Sequence, residues 1–397
     1  MAREGKVLFY MPDPSSARAG GRLEPAWLPV FYNPRMELNR DLSVAALQVY
    51  IDYYASRKPV NVVEPLSATG VRALRYALEV EGVGRVYCGD VDYEAYRIIV
   101  ANIGLNSAWH SVEASWGDAN ALMYSIKFRR VPVLVVDVDP FGPPTPFIEA
   151  ALNLIGDGGL LMVTATDTAV LEGSKASKAL RRYQARVARI PQSREMALRV
   201  LIGYIARVAA GMDKWVEPLI SLYMDYYVRL YMLVRRGSKG ARKTVESLLG
   251  PLYYCEDFKY ASLRENDVRG YCSKVTHMGP LWTGDLFNEE FLEKVIASVE
   301  GPFNYLGTGR TLLKTLKTAR EEAKLQGHVY QRLDSIASTL KTETPRREWA
   351  IETLRSRGFK AAPTHLAPTG LRTDAPLRDL LGLFPGGLKA SGALSAS

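Results

Sequence analysis

Cysteine is scarce: the 397-residue chain carries three, Cys88, Cys255 and Cys272, and no two of them form a CxxC pair. So small and odd a number excludes a disulfide-framework fold and fits a reducing compartment. Long apolar runs are missing too. No uncharged stretch approaches the roughly 20 residues that cross a bilayer, and the opening MAREGKVLFYMPD is broken too early to be the core of a secretory signal. Internal repeats are absent, as is the GxGxxG phosphate-loop pattern. These gaps point to a globular, soluble, cytoplasmic protein without a membrane partner.

What the chain does have is apolar mass and positive charge. At 47% apolar residues it can bury a large core, and its length suggests two or three domains. The formal net charge is +9, and from Phe303 onward 15 Lys and Arg face 8 Asp and Glu, so +7 of the excess lies in the last quarter. A second run, SKASKALRRYQARVARIPQSR, holds Lys175, Lys178, Arg181, Arg182, Arg186, Arg189 and Arg194 without one acidic residue. Both features imply a polyanionic partner.

Between about residues 59 and 236 strands alternate with helices. VNVVEPL, RVYCGD, VPVLVVDVDP and GGLLMVTATD read as strands, separated by the helical TGVRALRYALEVEG, YEAYRIIVANIGLN and TPFIEAALNLIG. Continuous Val and Leu runs between helices predict a doubly wound α/β domain around a mainly parallel sheet. After the helix EMALRVLIGYIARVAAGM, the segments WVEPLISLYM and YYVRLYMLVRR follow with only a short turn, and predict an antiparallel hairpin at the sheet edge.

Ligands of open α/β sheets sit beyond the carboxyl ends of the strands. At the first such end Ser67, Ala68, Thr69 and Gly70 allow a ligand to approach the backbone. The second ends at Asp90, 20 residues after Gly70, where a carboxylate can accept from ribose hydroxyls. The third, WGDAN, offers Asp118 to an amino group of adenine and the Ala119 amide to the ring. Together the three turns describe a nucleoside pocket.

The fourth turn, VVDVDPFGPP, brings the chemistry. An exocyclic amine on a nucleobase is a poor nucleophile because its lone pair is delocalised into the ring, so catalysis needs acceptors that favour a pyramidal nitrogen. Asp139 supplies a carboxylate and Pro140 a carbonyl aimed by its fixed φ. Phe141 can stack on a base drawn out of its helix.

FYNPRMELNRDLSV, LSATGVRALRYALE, DVDPFGPP, TATDTAVLEG and THLAPTGLRTDAP, in this order, resemble the archaeal-type tRNA (guanine(26)-N2)-dimethyltransferase family, over about residues 29 to 377. The resemblance implies a Rossmann-like class I methyltransferase sheet with an antiparallel edge hairpin, plus a smaller α+β C-terminal domain with a winged-helix-like part. It implies S-adenosyl-L-methionine as methyl donor and transfer, twice, to N2 of the guanine at position 26 of tRNA. It carries Arg40 and Arg72 to the cofactor, Asp90 to its ribose, and Asp118 and Ala119 to its adenine. A guanidinium such as Arg40 can grip a carboxylate bidentately. Asp139 becomes the catalytic residue, and Phe31 and Phe141 the aromatic clamp on the guanine.

Some members of that family carry cysteine pairs that look like zinc sites, whereas this chain has only Cys255 and Cys272 with His277 nearby. Three ligands do not close a structural zinc site, so no metal is expected. The expected domains are a methyltransferase domain over 1–240, a tRNA-binding domain over 241–380 and a disordered tail over 381–397. In the second of these HVYQRLDSIASTL and PRREWAIETLRSRGF read as helices before a turning ribbon, with Arg346, Arg347, Arg355, Arg357 and Arg372 as phosphate contacts. A monomer is expected. One rival reading is a DNA adenine-N6 methyltransferase, because DPF resembles an NPPY-type turn, although the second proline of that turn is missing. The other is a non-catalytic RNA-binding protein, which the intact Asp90, Asp118 and Asp139 argue against.

Overall fold

The computed structural model describes residues 1–13, 18–19, 22–23 and 27–387. Seven strands build the main sheet: β1 (Val60–Glu64), β2 (Val83–Asp90), β3 (Val112–Trp116), β4 (Val133–Val138), β5 (Gly159–Ala165), β6 (Lys214–Met224) and β7 (Tyr227–Arg236). Their order is β6-β7-β5-β4-β1-β2-β3. The first five pair in parallel, and every residue of β4 and β5 is buried, as strands covered on both faces require. Only Asp225 and Tyr226 separate β6 from β7, so these two run antiparallel at one edge, as expected.

The order reverses at β1, which has β2 on one side and β4 on the other. A crevice for ligands opens at such a switch point, outside the carboxyl ends. Five helices frame it: α1 (Glu37–Tyr53), α2 (Val71–Glu79), α3 (Tyr93–Leu105), α4 (Ala119–Phe128) and α5 (Ile148–Leu154). Gly70 begins α2 at φ +73°, and a Cβ there would lie 3.2 Å from Ile99, so glycine suits the position on both counts. Asp92 caps α3 and Asp118 caps α4, each accepting a backbone N–H of the first turn.

The chain falls into two compact units, neither of them a single run: Met1–Ala165 with Arg229–Arg236 and Glu293–Lys314, and Thr166–Val228 with Gly237–Leu292 and Thr315–Ser397. The second holds the helix Ser193–Ala210 and a three-stranded sheet in which Leu249–Cys255 lies between Tyr260–Ser262 and Val275–Trp282. It also holds the helices Leu333–Leu340 and Arg347–Ser356, with Gly370–Thr373 flanked by Gln331–Arg332 and Ala361–Pro363. These are the two helices and the ribbon expected. Among the described residues no helix is long and apolar enough to cross a membrane.

Three expectations need correction. Cys255 and Cys272 are not free thiols but a disulfide, with Cα atoms 5.7 Å apart. The antiparallel register sets Cys255 against Val275, which brings Cys272, three residues earlier, into reach. A carboxylate of Asp257 lies within 4.8 Å of both sulfurs, which are spent on each other. Arg372 cannot reach a phosphate, because it is buried against Glu195 at 2.9 Å and Glu322 at 3.1 Å. Finally, Leu383 and Phe384 pack into the core formed by Leu333, Leu354 and Leu371, so the start of the expected tail is ordered by apolar burial. Residues 388–397 of that tail lie outside the described residues.

Candidate active site at the carboxyl ends of the sheet

Strand register assembles the acidic centre. Val63 of β1 pairs with Val136 of β4, so the next residues, Glu64 and Asp137, end up side by side. Alternation along an extended chain then puts Asp139 on the same face as Asp137. Into this group α2 sends Arg72. Its Nε lies 3.2 Å from Glu64, its Nη1 donates to Asn39 at 2.9 Å and Ser43 at 3.1 Å, and its Nη2 grips the Asp139 carboxylate. From β7, Arg229 holds Asp137 bidentately at 2.7 and 2.9 Å, and Tyr76 donates to the same carboxylate at 2.6 Å. Thr164, at the end of β5, accepts from Arg229 at 3.0 Å.

Three acids therefore share two buried guanidiniums, and their environments separate them. Burial works against ionisation of Asp137, but Arg229 and Arg72 outweigh it and hold the carboxyl at about 2. Glu64 goes the other way. Burial, reinforced by the charges of Asp137 and Asp139, overcomes Arg72 and pushes it up to about 8, so at neutral pH it is a neutral acid. Its Oε2 is buried with no hydrogen-bond partner among the described residues. An orphaned acid of this kind is poised for a cationic ligand group.

The second and third strand ends form a different surface. Asp90 accepts from the Ala68 amide at 2.9 Å and from the Asp92 amide at 3.0 Å, which ties the first turn to the second. Ala68 takes a left-handed φ of +48° to do so. Beside Asp90 stands Val91, 68% exposed, and beside Asp118 stands Trp116, 61% exposed. The Trp116 indole donates to the Val91 carbonyl at 3.1 Å, and Tyr93 packs on it edge-on at 5.0 Å. Large apolar groups left in the open at a strand end fit a flat heterocycle. Asp118 spends one oxygen on the Ala121 amide at 2.9 Å, and Ala119 is buried at the start of α4.

Phe141 is 65% exposed and meets Phe31 edge-to-face at a centroid distance of 4.2 Å. A base between two rings needs about 7 Å, two van der Waals contacts, so these rings must part to admit one. Arg40 is engaged elsewhere. Glu4, in the strand Ala2–Glu4, binds it through two contacts of 2.6 Å, and the Tyr32 ring lies 5.1 Å away. Of the residues singled out from the sequence, then, the structure joins Arg72 to Asp139 and Phe31 to Phe141, and gives Arg40 to Glu4.

The model of the family described as TRM, N2,N2-dimethylguanosine tRNA methyltransferase, matches residues 23–384. The chain belongs to this family. A tRNA (guanine(26)-N(2))-dimethyltransferase of Aeropyrum pernix is 40% identical over 96% of this chain and 95% of its own length. One of Saccharolobus solfataricus is 35% identical over 95% and 96%. Among solved structures, Trm1 from Pyrococcus horikoshii in complex with S-adenosyl-L-methionine superposes with a TM-score of 0.84 at 30% identity, covering 96% of this chain and 99% of that one.

Within the family's frame, three groups of this site escape sequence reading: Glu64, Arg229 and the Val91–Trp116 surface. A Glu at the end of a Val-rich strand is itself a signal, since a buried strand seldom finishes on an acid without a purpose. Nothing local marks Arg229, which stands 92 residues from its partner Asp137. As a set, a neutral buried acid, a half-exposed acid and an apolar shelf suit a ligand that carries an ammonium, a ribose and a heterocycle.

Proposed function

We propose that this protein transfers methyl groups from S-adenosyl-L-methionine to the exocyclic N2 of guanine 26 in tRNA, twice, to give N2,N2-dimethylguanine. The observation that carries the reading is the Asp139–Pro140–Phe141 turn at the switch point, with its carboxylate fixed by buried Arg72. Names of relatives that align over nearly the whole chain supply the base and its position. When bound, the cofactor supplies an electrophilic methyl on a sulfonium. Glu64 would take its ammonium, Asp90 its ribose hydroxyls, Val91 and Trp116 its adenine, with Asp118 and Ala119 at the edge of that ring. Arg40 and Arg72 would stand behind this pocket as positioning residues, Arg72 by aiming Asp139.

Asp139 and the Pro140 carbonyl accept the two N2–H groups and draw the nitrogen lone pair out of the ring. Attack then follows from holding nitrogen and methyl in line, with no covalent enzyme intermediate. Asp139 receives the proton that N2 sheds. Each transfer would consume one cofactor molecule and release its demethylated thioether; before the second, Asp139 returns its proton to solvent and then accepts the single N–H that remains. Phe31 and Phe141 part and hold the base, which must leave its helix to reach them. We assign the chemistry to residues 1–240 and RNA binding chiefly to 241–380, in a cytoplasmic monomer. Incubation with cofactor tritiated on the methyl group tests this: label should pass to tRNA and not to duplex DNA. Label in DNA adenine, or none in either, would overturn it.

A further inference from the structure

Tyr32 and Asn33 follow Phe31 directly, and each is only 8% exposed. The Tyr32 hydroxyl donates to Glu4 Oε2 at 3.1 Å, and its ring lies 5.1 Å from the Phe9 ring and 5.1 Å from the Arg40 guanidinium. The Asn33 carbonyl accepts from Arg40 Nη2 at 3.3 Å. Arg40 is itself gripped by Glu4, whose Oε1 also accepts from Arg75 Nη1 at 2.9 Å. One buried carboxylate from the N-terminal strand thus ties down both residues behind Phe31.

Glu4 is well fixed in its turn. It pairs with Val7 in a hairpin of Ala2–Glu4 and Val7–Phe9, and Glu79 fastens that hairpin by accepting the Lys6 amide at 3.1 Å while it holds Arg75. Arg75 closes the group on Asp41 at 2.7 Å. Burial works against ionisation of Glu4, but Arg40 and Arg75 outweigh it and hold the carboxyl at about 2, so the group is charged at neutral pH. A buried set of this kind cannot shift without leaving a charge unpaired. The opposite ring is mounted differently. Phe141 is 65% exposed, and Gly142 after it sits at φ +81°, with no atom beyond its chain neighbours within 4 Å of where a Cβ would be. When the two rings part, Phe141 has the room to move and Phe31 does not.

We propose that Glu4 is a positioning residue for methyl transfer: through Tyr32 and Arg40 it fixes Phe31 as the stationary half of the base clamp, against which Phe141 opens and closes. The inference rests on the two phenylalanines holding the target guanine. Glu4 touches neither base nor cofactor in this assignment, so it acts on where the nitrogen stands relative to the methyl group. A misplacement of about 1 Å there costs about 10²-fold in rate. Affinity for tRNA, carried mainly by phosphate contacts, is left almost as it was.

The test uses the full-length protein, an unmodified tRNA transcript and saturating S-adenosyl-L-methionine in single-turnover assays. Phe31→Ala sets the cost of losing the stationary ring. Glu4→Gln keeps the shape of the side chain and removes its charge; it should slow transfer about 10-fold or more, while Kd for tRNA and for S-adenosyl-L-methionine stays within about 2-fold. Tyr32→Phe leaves every arginine contact in place and should slow transfer less. The double variant should be no slower than Glu4→Gln alone, because the Tyr32 hydroxyl acts only through Glu4. A tRNA carrying 2-aminopurine at position 26 adds a readout that lost stability alone would not move: its fluorescence anisotropy in the complex should be high with the wild type and fall with Glu4→Gln and with Phe31→Ala. Should Glu4→Gln misfold, Tyr32→Phe decides by the same rate and anisotropy. A folded variant that transfers at the wild-type rate, or a slowed one that holds the base as rigidly as the wild type, overturns the inference, as do losses that add in the double variant. If Phe31→Ala itself works at the wild-type rate, the clamp reading fails and the anchor with it.

Discussion

Replacing Glu64 by Gln probes the site at the point where its electrostatics are most unusual. In the free protein the Glu64 carboxyl is held at about 8 by burial and by Asp137 and Asp139, so at pH 7 it is about 90% protonated. An ammonium placed against its unpartnered Oε2 favours the ionised form and expels that proton. Binding of S-adenosyl-L-methionine should therefore release most of a proton at pH 7, where the ligand amine is already charged, and the release should disappear as the pH rises through about 8, where Glu64 ionises and the free amine loses its charge. Calorimetric titration in buffers of different ionisation enthalpy counts these protons directly. Glu64→Gln should release none from this site at any pH and bind more weakly. Folding carries the same signature with its own sign. A carboxyl raised from 4.5 to about 8 by folding stabilises the protein fully below about 4.5, and this contribution is lost as the pH rises to about 8. The ligand-free Gln variant should lose that slope. Wild-type binding at pH 7 without proton release would refute the placement of the ammonium at Glu64.

Other variants separate the roles of neighbouring groups. Asp139→Ala should lower turnover by about 10²-fold or more while calorimetry finds cofactor affinity little changed, because its carboxylate acts mainly on the transition state. Asp90→Ala should show the reverse, with weakened cofactor binding as its first effect. Arg229→Met leaves Asp137 charged and buried with half its compensation gone, and should cost about 3 to 5 kcal/mol of stability, read as a fall in melting temperature. Charge reversal at Arg346 and Arg347 should weaken tRNA binding and flatten its salt dependence by about 0.7 to 0.9 per contact, leaving cofactor affinity as it was.

How far the sequence discloses this protein depends on how local each feature is. Val135 and Val136 announce a covered parallel strand by themselves, and the turn after it presents Asp139, Pro140 and Phe141 in one short stretch. Asp90 is legible because the spacing from Gly70 belongs to a single βα unit. Glu64 is not, since its meaning comes from two carboxylates on another strand that register brings beside it. Arg372 misleads for the same reason. In the sequence it stands in a turn-rich motif within the basic last quarter and reads as a phosphate contact, and only folding supplies Glu195, 177 residues away, and Glu322, 50 away, to bury it. The disulfide is hidden likewise, because an odd count of cysteines says nothing of the register that aligns Cys255 with Val275. Arg40 invites a ligand carboxylate, and the fold gives it Glu4 from the N-terminal strand.

The central claim is that this site dimethylates N2 of one guanine in tRNA. Mass spectrometry of nucleosides and of mapped fragments, from an unmodified tRNA transcript incubated with the protein and S-adenosyl-L-methionine, reports base, methyl count and position together. The account predicts N2,N2-dimethylguanosine at position 26, and none when Asp139 is Ala. Methylation of another base or another atom, or a dimethylated guanine 26 that persists undiminished in the Asp139→Ala protein, would contradict it.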